Sequence, residues 1–209
     1  MPTMVDLGCG PRRKEGCIGV DFVAGAGVDH VVDIAREKVP FEDGSVDHVF
    51  SSHFLEHVAE PGRVLREILR ICRPDATVEI WTPHARSDLA FLPGHVTYFS
   101  ETLWQHLCVK YPEIWFLQAE GVLRLDEIHF VLSPGIERTI GTIPLWFAIR
   151  HFHNIVLEMK ASLRALKGPQ YRDKTEFKRD VRPPELFVGY ERSDRRPLPA
   201  PSDFLKVPG

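Results

Sequence analysis

The chain has 209 residues, 44% of them hydrophobic and 26% charged, which suits one globular domain with an extension. No stretch approaches the roughly 18 uninterrupted apolar residues of a spanning helix, and the N-terminus lacks the basic-then-apolar pattern of a secretory leader. The four cysteines, at positions 9, 17, 72 and 108, form no Cys-x-x-Cys pair, which speaks against a zinc ribbon or a disulfide framework and makes a reduced, cytoplasmic setting the expectation. The net charge of −3 is uneven: residues 1–149 carry 13 Lys/Arg against 21 Asp/Glu, and residues 150–209 carry 13 against 8. A basic tail of this kind can meet an anionic partner or neutralise its own acidic domain.

In chain order, short apolar runs alternate with helix-like segments, the pattern of an α/β fold with a mostly parallel sheet. The expected strands are Thr3–Leu7, Cys17–Asp21, His30–Ile34, Val46–Ser51 and Thr77–Thr82. Two later runs, Glu113–Ala119 and Glu127–Leu132, read as a closing antiparallel pair, giving seven strands. Between the fourth and fifth, Pro61 suits a first helical turn, and Val64, Leu65, Ile68, Leu69 and Cys72 follow at helical spacing up to Arg73-Pro74. Residues 84–100 form a connection rich in His, Pro and Gly, long enough to be a functional lid, and a helix starts at Ser100.

From Leu145, the residues Leu145, Ile149, Phe152, Val156, Met159, Leu163 and Leu166 recur at 4-3 spacing between Pro144 and Gly168-Pro169. This predicts one amphipathic helix of about 24 residues, whose stripe would pack on the domain or pair two copies through residues 144–167. Residues 169–209, rich in Pro and charge, are expected to be extended or partly disordered. The expected organisation is a domain over 1–135, a helical extension over 136–168 and a tail.

The chemistry concentrates at strand ends. The first strand runs into Asp6-Leu7-Gly8-Cys9-Gly10, where missing Cβ atoms permit unusual dihedrals and a close ligand approach. The second ends in Gly19-Val20-Asp21, whose carboxylate can accept both hydroxyl protons of a ribose. The third ends in Asp33-Ile34 and the fourth in Ser51-Ser52-His53, so all converge on the carboxyl edge where open α/β sheets bind ligands. A dinucleotide fits poorly. The third fingerprint glycine is replaced by Arg13, and Pro11–Gly16 leaves barely one helical turn to hold a pyrophosphate.

Together with Pro40-Phe41-Glu42-Asp43-Gly44-Ser45-Val46-Asp47 and Ser52-His53-Phe54-Leu55-Glu56-His57-Val58, these motifs resemble the class I S-adenosylmethionine-dependent methyltransferases, in particular the domain family that modifies small molecules and cell-surface glycans. The resemblance covers residues 3–83 in order. It is looser over 84–135, where Gly94-His95-Val96-Thr97-Tyr98-Phe99-Ser100 is similar to a loop of one branch. It implies a Rossmann-like sheet and S-adenosylmethionine as cofactor. Gly8, Cys9 and Gly10 would lie against the methionine part, with Asp6 near its amino group. Asp21 would bind the ribose, Phe22 would lie by the adenine, Asp33 and Ile34 would read its edge, and Ser51 and Ser52 would floor the sulfonium. The chain departs from the family in Pro74-Asp75-Ala76, where Pro-Gly-Gly is usual, and in a shrunken first helix, which leaves closure of the pocket to residues 84–100.

His53-Phe54-Leu55-Glu56-His57 also spells the His-x-x-Glu-His of inverted zinc proteases. Its place directly after a strand of this order favours the methyltransferase reading, in which no residue is expected to ligate a metal. Methyl transfer needs an acceptor positioned and, for a hydroxyl or amine, its proton removed, a task for a histidine that titrates near neutrality. His53 is the first candidate, with His84 and His95 on the lid as alternatives, while a capping or packing role is expected for His57. The expected partner is a small-molecule or glycan-like acceptor. No aromatic-basic patch points to nucleic acid, and Arg150, Lys160, Arg164 and Lys167 spread around the predicted helix too evenly for a membrane surface. The rival reading is a silent methyltransferase-like scaffold assembling through the C-terminal helix.

Overall fold

Residues 2–116, 121–172 and 187–192 are described in the computed structural model of the chain. Strands β1 (Met4–Leu7), β2 (Ile18–Asp21), β3 (His30–Val31), β4 (Val46–Ser52), β5 (Cys72–Pro83), β6 (Gly121–Leu132), β7 (Val156–Lys167) and β8 (Phe187–Arg192) form one sheet in the order β3-β2-β1-β4-β5-β7-β6-β8. Pairing is parallel from β3 through β5, antiparallel on both sides of β7, and parallel again between β6 and β8. The expected Rossmann-like, mostly parallel sheet with a C-terminal antiparallel pair is present, and β8 is added at its edge.

Side chains alternate along strands, so the register writes the two faces out in rows. On one face, Val5, Val49, Val78, Leu163 and Leu125 stand side by side, as do Ser51, Ile80, Ala161 and Ile128. All nine are buried. Helix α1 (Pro61–Ile71) packs there with Val64, Leu65, Ile68 and Leu69 fully buried, together with α2 (Glu101–Gln105) and α3 (Pro112–Phe116). The indole of Trp115 lies so close over Gly62 that a Cβ there would sit 2.4 Å from the ring. Ser100 caps α2 by accepting from the Leu103 amide at 3.3 Å.

The opposite face carries Phe50, Glu79, Ser162 and Glu127 in one row, and Ser52, Trp81, Lys160 and His129 in another. Its polar groups pair with one another. Trp81 Nε1 donates to Glu79 at 2.7 Å, Lys14 reaches Glu79 at 3.5 Å, Lys160 reaches Glu127 at 3.4 Å, and Arg124 and Arg164 both bind Asp126.

Two expectations are overturned. Residues 145–168 are not one helix: α5 (Leu145–His151) is short, the chain turns at Asn154 with a φ of +56°, and β7 begins at Val156. Met159, Ala161, Leu163 and Ala165 are buried while Lys160, Ser162 and Arg164 face the other way, a period of two. Because β5 and β6 flank β7, the stripe is not a free helical face for a second copy, and the sheet does not close at residue 135. The assembly helix of the scaffold reading goes with it. Residues 113–116 are not a strand either, since Pro112 opens the helical turn α3; the rest of that expected strand lies outside the described residues. In the tail, residues 169–172 form a 3-10 turn and β8 pairs with β6. The remainder of the tail reading falls outside the described residues. A fourth helix, α4 (Ile136–Ile140), links β6 to α5. Among the described residues no helix is long and apolar enough to cross a membrane.

Candidate active site

Beyond Leu7 the backbone turns through Gly8 at a φ of +72° and Gly10 at +54°, dihedrals that favour glycine. The Gly8 and Cys9 amides donate to the Val20 carbonyl at 2.8 and 3.3 Å, tying the turn to β2. A Cβ on Gly8 would stand 2.4 Å from the Phe54 side chain. Asp21 secures the turn from the other side, since the Gly10 amide donates to Oδ2 at 2.9 Å and the Val23 amide to Oδ1 at 3.0 Å. The result is a cleft of about 280 Å³ lined by Asp6, Gly8, Cys9, Gly10, Pro11, Arg12, Phe50 and Ser52.

Asp6 is buried and accepts from the Lys14 amide at 2.7 Å. Burial pushes its carboxyl above the usual range despite that bond. Burial and then Asp6 and Asp21 push the Cys9 thiol up to about 11, so it stays protonated near neutrality, with Sγ against the Gly27 carbonyl. Ser51 does not line the cleft. Its side chain is on the apolar face, donating from Oγ to the Leu7 carbonyl at 2.9 Å, which holds the ends of β1 and β4 together. Ser52, one residue on, faces the cleft. Phe22 is exposed beyond β2. Asp33 closes a turn by accepting from the Ala35 amide at 3.2 Å, and Ile34 is buried beside it. Phe50, Pro11 and Arg12 escaped sequence reasoning, although Phe50 was legible as the residue two before Ser52 on one strand face.

The three candidate histidines separate. His53 has a φ of +53° and lies between two carboxylates, with Nδ1 3.2 Å from Glu56 and Nε2 3.3 Å from Glu158. Glu158 and Glu56 push it up to about 9, so it carries a proton at neutral pH and does not meet the expectation of a neutral base. His84 is almost fully buried. Its Nδ1 accepts from the Arg86 amide at 3.3 Å, which leaves Nε2–H to donate to Glu101 at 3.2 Å. It is therefore spent on holding the start of the lid. His95 lies on the lid with its ring edge-on to His57, centroids 4.7 Å apart.

The lid over 84–100 is pinned along its length. The Ala85 amide donates to the Phe99 carbonyl at 2.6 Å, those of Val96 and Thr97 donate to the Glu56 carbonyl at 2.8 and 3.0 Å, and Thr97 Oγ1 donates to the Val58 carbonyl at 2.6 Å.

A strand-end glycine turn locked by a carboxylate from the next strand lies at the carboxyl edge of the sheet, where open α/β folds bind their ligands. Comparison with known proteins makes the class particular. Residues 17–80 match the family described as methyltransferase domain. An uncharacterised methyltransferase of Mycobacterium sp. (strain KMS) is 35% identical over 88 residues, 34% of this chain and 35% of that protein. The matched region thus spans about a third of the curated relative. An S-adenosylmethionine-dependent methyltransferase from Archaeoglobus fulgidus shares the fold at a TM-score of 0.53 and 14% identity, over 78% of this chain and 86% of that one. The [4+2]-cyclase SpnF shares it at 0.52 and 16%, over 80% and 75%. Residues 17–80 are thus similar to a methyltransferase domain, on a fold shared with S-adenosylmethionine-dependent methyltransferases.

Proposed function

We propose that the chain transfers the methyl group of S-adenosylmethionine to an oxygen or nitrogen of a small-molecule or glycan-like acceptor. One observation carries the reading: the Gly8–Gly10 turn, fixed by Asp21 at the mouth of a cleft that Asp6 and Ser52 complete. The bound cofactor supplies an electrophilic methyl carbon. The chain's part is to hold that carbon in line with the acceptor and keep water out.

Asp6 would hold the amino group of the methionine moiety, with its carboxylate partly compensated by the Lys14 amide. Asp21 has further lone pairs for a ribose besides the two amides it already accepts. Asp33, Ile34 and Phe22 would border the adenine at the ends of β2 and β3, and Ser52 would lie beneath the sulfur. His53 serves as a positioning residue that fixes Glu56 and Glu158 at the exit of β4. Because a [4+2]-cyclase shares this fold, the fold does not determine the reaction, so binding and transfer are tested separately.

In calorimetry with S-adenosylhomocysteine, the wild type binds at one site per chain, and Asp21→Ala weakens binding at least about tenfold, the factor that about 1.4 kcal/mol of lost interaction represents. No binding by folded wild type, or undiminished binding by Asp21→Ala, overturns the cofactor assignment. Methyl transfer from labelled S-adenosylmethionine to panels of hydroxylated and amine-bearing acceptors tests the reaction.

A further inference from the structure

We propose that Glu56, His57 and His95 form a site for one divalent transition-metal ion of the zinc type, joining the lid to the exit of β4. A carboxylate oxygen of Glu56 and one ring nitrogen from each histidine lie within 4.8 Å of one another. Two buried polar atoms of this trio lack hydrogen-bond partners: Oε2 of Glu56, whose residue is only 2% exposed, and Nδ1 of His95. A buried carboxylate oxygen and a buried imidazole nitrogen left unmatched each cost free energy unless something meets them. One cation meets both.

The surroundings are built for ligation. Glu56 gives its other oxygen, Oε1, to His53 at 3.2 Å, which orients the carboxylate. His57 Nδ1 donates to the Gly94 carbonyl at 3.0 Å, so its Nε2 bears the lone pair, the carbonyl-fixed tautomer found behind metal-bound histidines. His95 is held in place by its neighbours, since the Val96 and Thr97 amides both bond to the Glu56 carbonyl. Ligands distant in sequence are thus carried on two segments already hydrogen-bonded to each other. Two imidazoles and one carboxylate suit zinc and its neighbours, whereas calcium and magnesium prefer all-oxygen sets. Three protein ligands leave a fourth position open, and the exposure of His57 gives an entry path. The His-x-x-Glu-His match, in which the two histidines would ligate zinc with Glu56 as base, therefore names only His57 among these ligands: His53 is engaged by carboxylates at both nitrogens, Glu56 turns from base to ligand, and His95 completes the set.

The proposal is independent of methyl transfer and is tested by metal binding alone. The full chain, freed of metal by chelator and dialysed against Zn(II), should hold one ion per chain, and Co(II) in its place should give the intense visible bands of a four-coordinate site. His95→Ala, a change on the half-buried lid, should weaken Zn(II) binding by more than the roughly 10–100-fold cost of losing a mere outer-shell partner. His151→Gln, at the exposed end of α5, should bind as wild type does. Zn(II) should also raise the melting temperature of the wild type and of His151→Gln but not of His95→Ala, a readout that shows each variant is folded. Failure of folded wild type to bind a stoichiometric ion, or undiminished binding by His95→Ala, overturns the site.

Discussion

The two faces of the sheet solve the same problem in opposite ways. On one, valine, leucine, isoleucine and alanine from five strands meet α1, α2 and α3 with almost no solvent access. On the other, tryptophan, lysine, glutamate, arginine and aspartate pair across the same strands while keeping contact with water. The strands are shared, so the backbone hydrogen bonding is common to both. What differs is how much each face depends on burial. The cleft opens at the end of β1, where Asp6 and Phe50 share a row with the polar face, so binding groups sit beside a rigid layer without belonging to it.

That contrast can be broken from either side. The largest effect is expected from Leu163→Ala, a truncation on the apolar face of the central strand β7, which should cost about 2–5 kcal/mol in urea unfolding. A loss no larger than that of a surface change would mean the face is not the core. Gly8→Ala comes next. It places a methyl group against Phe54 at a φ of +72°, should cost about 1–3 kcal/mol in backbone strain, and should weaken S-adenosylhomocysteine binding beyond its effect on stability. Arg164→Ala removes the ion pair with Asp126, 3.0 Å across the polar face, and should cost no more than about 1 kcal/mol, with the difference shrinking as salt is added.

The smallest effect is a titration. Asp29 accepts from the Gly19 amide at 2.8 Å and from Arg13, which hold its carboxyl below the usual range. A folded-state value below the unfolded one makes its contribution to stability present above about pH 4 and lost as pH falls through the folded value. Carboxyl carbon NMR should show Asp29 titrating below the ordinary aspartate range, and Arg13→Ala should move it upward.

The N-terminal half was legible because each element there carries its own punctuation. Gly8 and Gly10 end β1, Asp21 ends β2, Pro61 opens α1, and each acts within a few residues of its effect. Asp75, at the departure from Pro-Gly-Gly, adopts a φ of +64°, a conformation aspartate tolerates. Residues 145–167 misled because Met159 and Leu163 fit a period of 3.5 and a period of two equally well. The discriminating residues are the small ones: Ala161 and Ala165 read as helix formers, yet they are the inward positions of a strand packed between two others. Asn154 was the missed stop signal. For the site, strand ends were readable because topology places them at one edge. Local bonding was not: Ser51 and Ser52 differ by one residue and so by face, and the charged state of His53 depends on Glu158, 105 positions away.

The position of β7 also bears on how the molecule is made. Strand β6 is synthesised before both of its neighbours, β7 and β8, which lie later in the chain. As the polypeptide leaves the ribosome at roughly 5–20 residues per second, Gly121–Leu132 spends seconds as an apolar strand with neither edge covered. Insertion of β7 between β5 and β6 is what covers one of those edges. Any premature stop between Leu132 and Val156 would release that edge to other molecules.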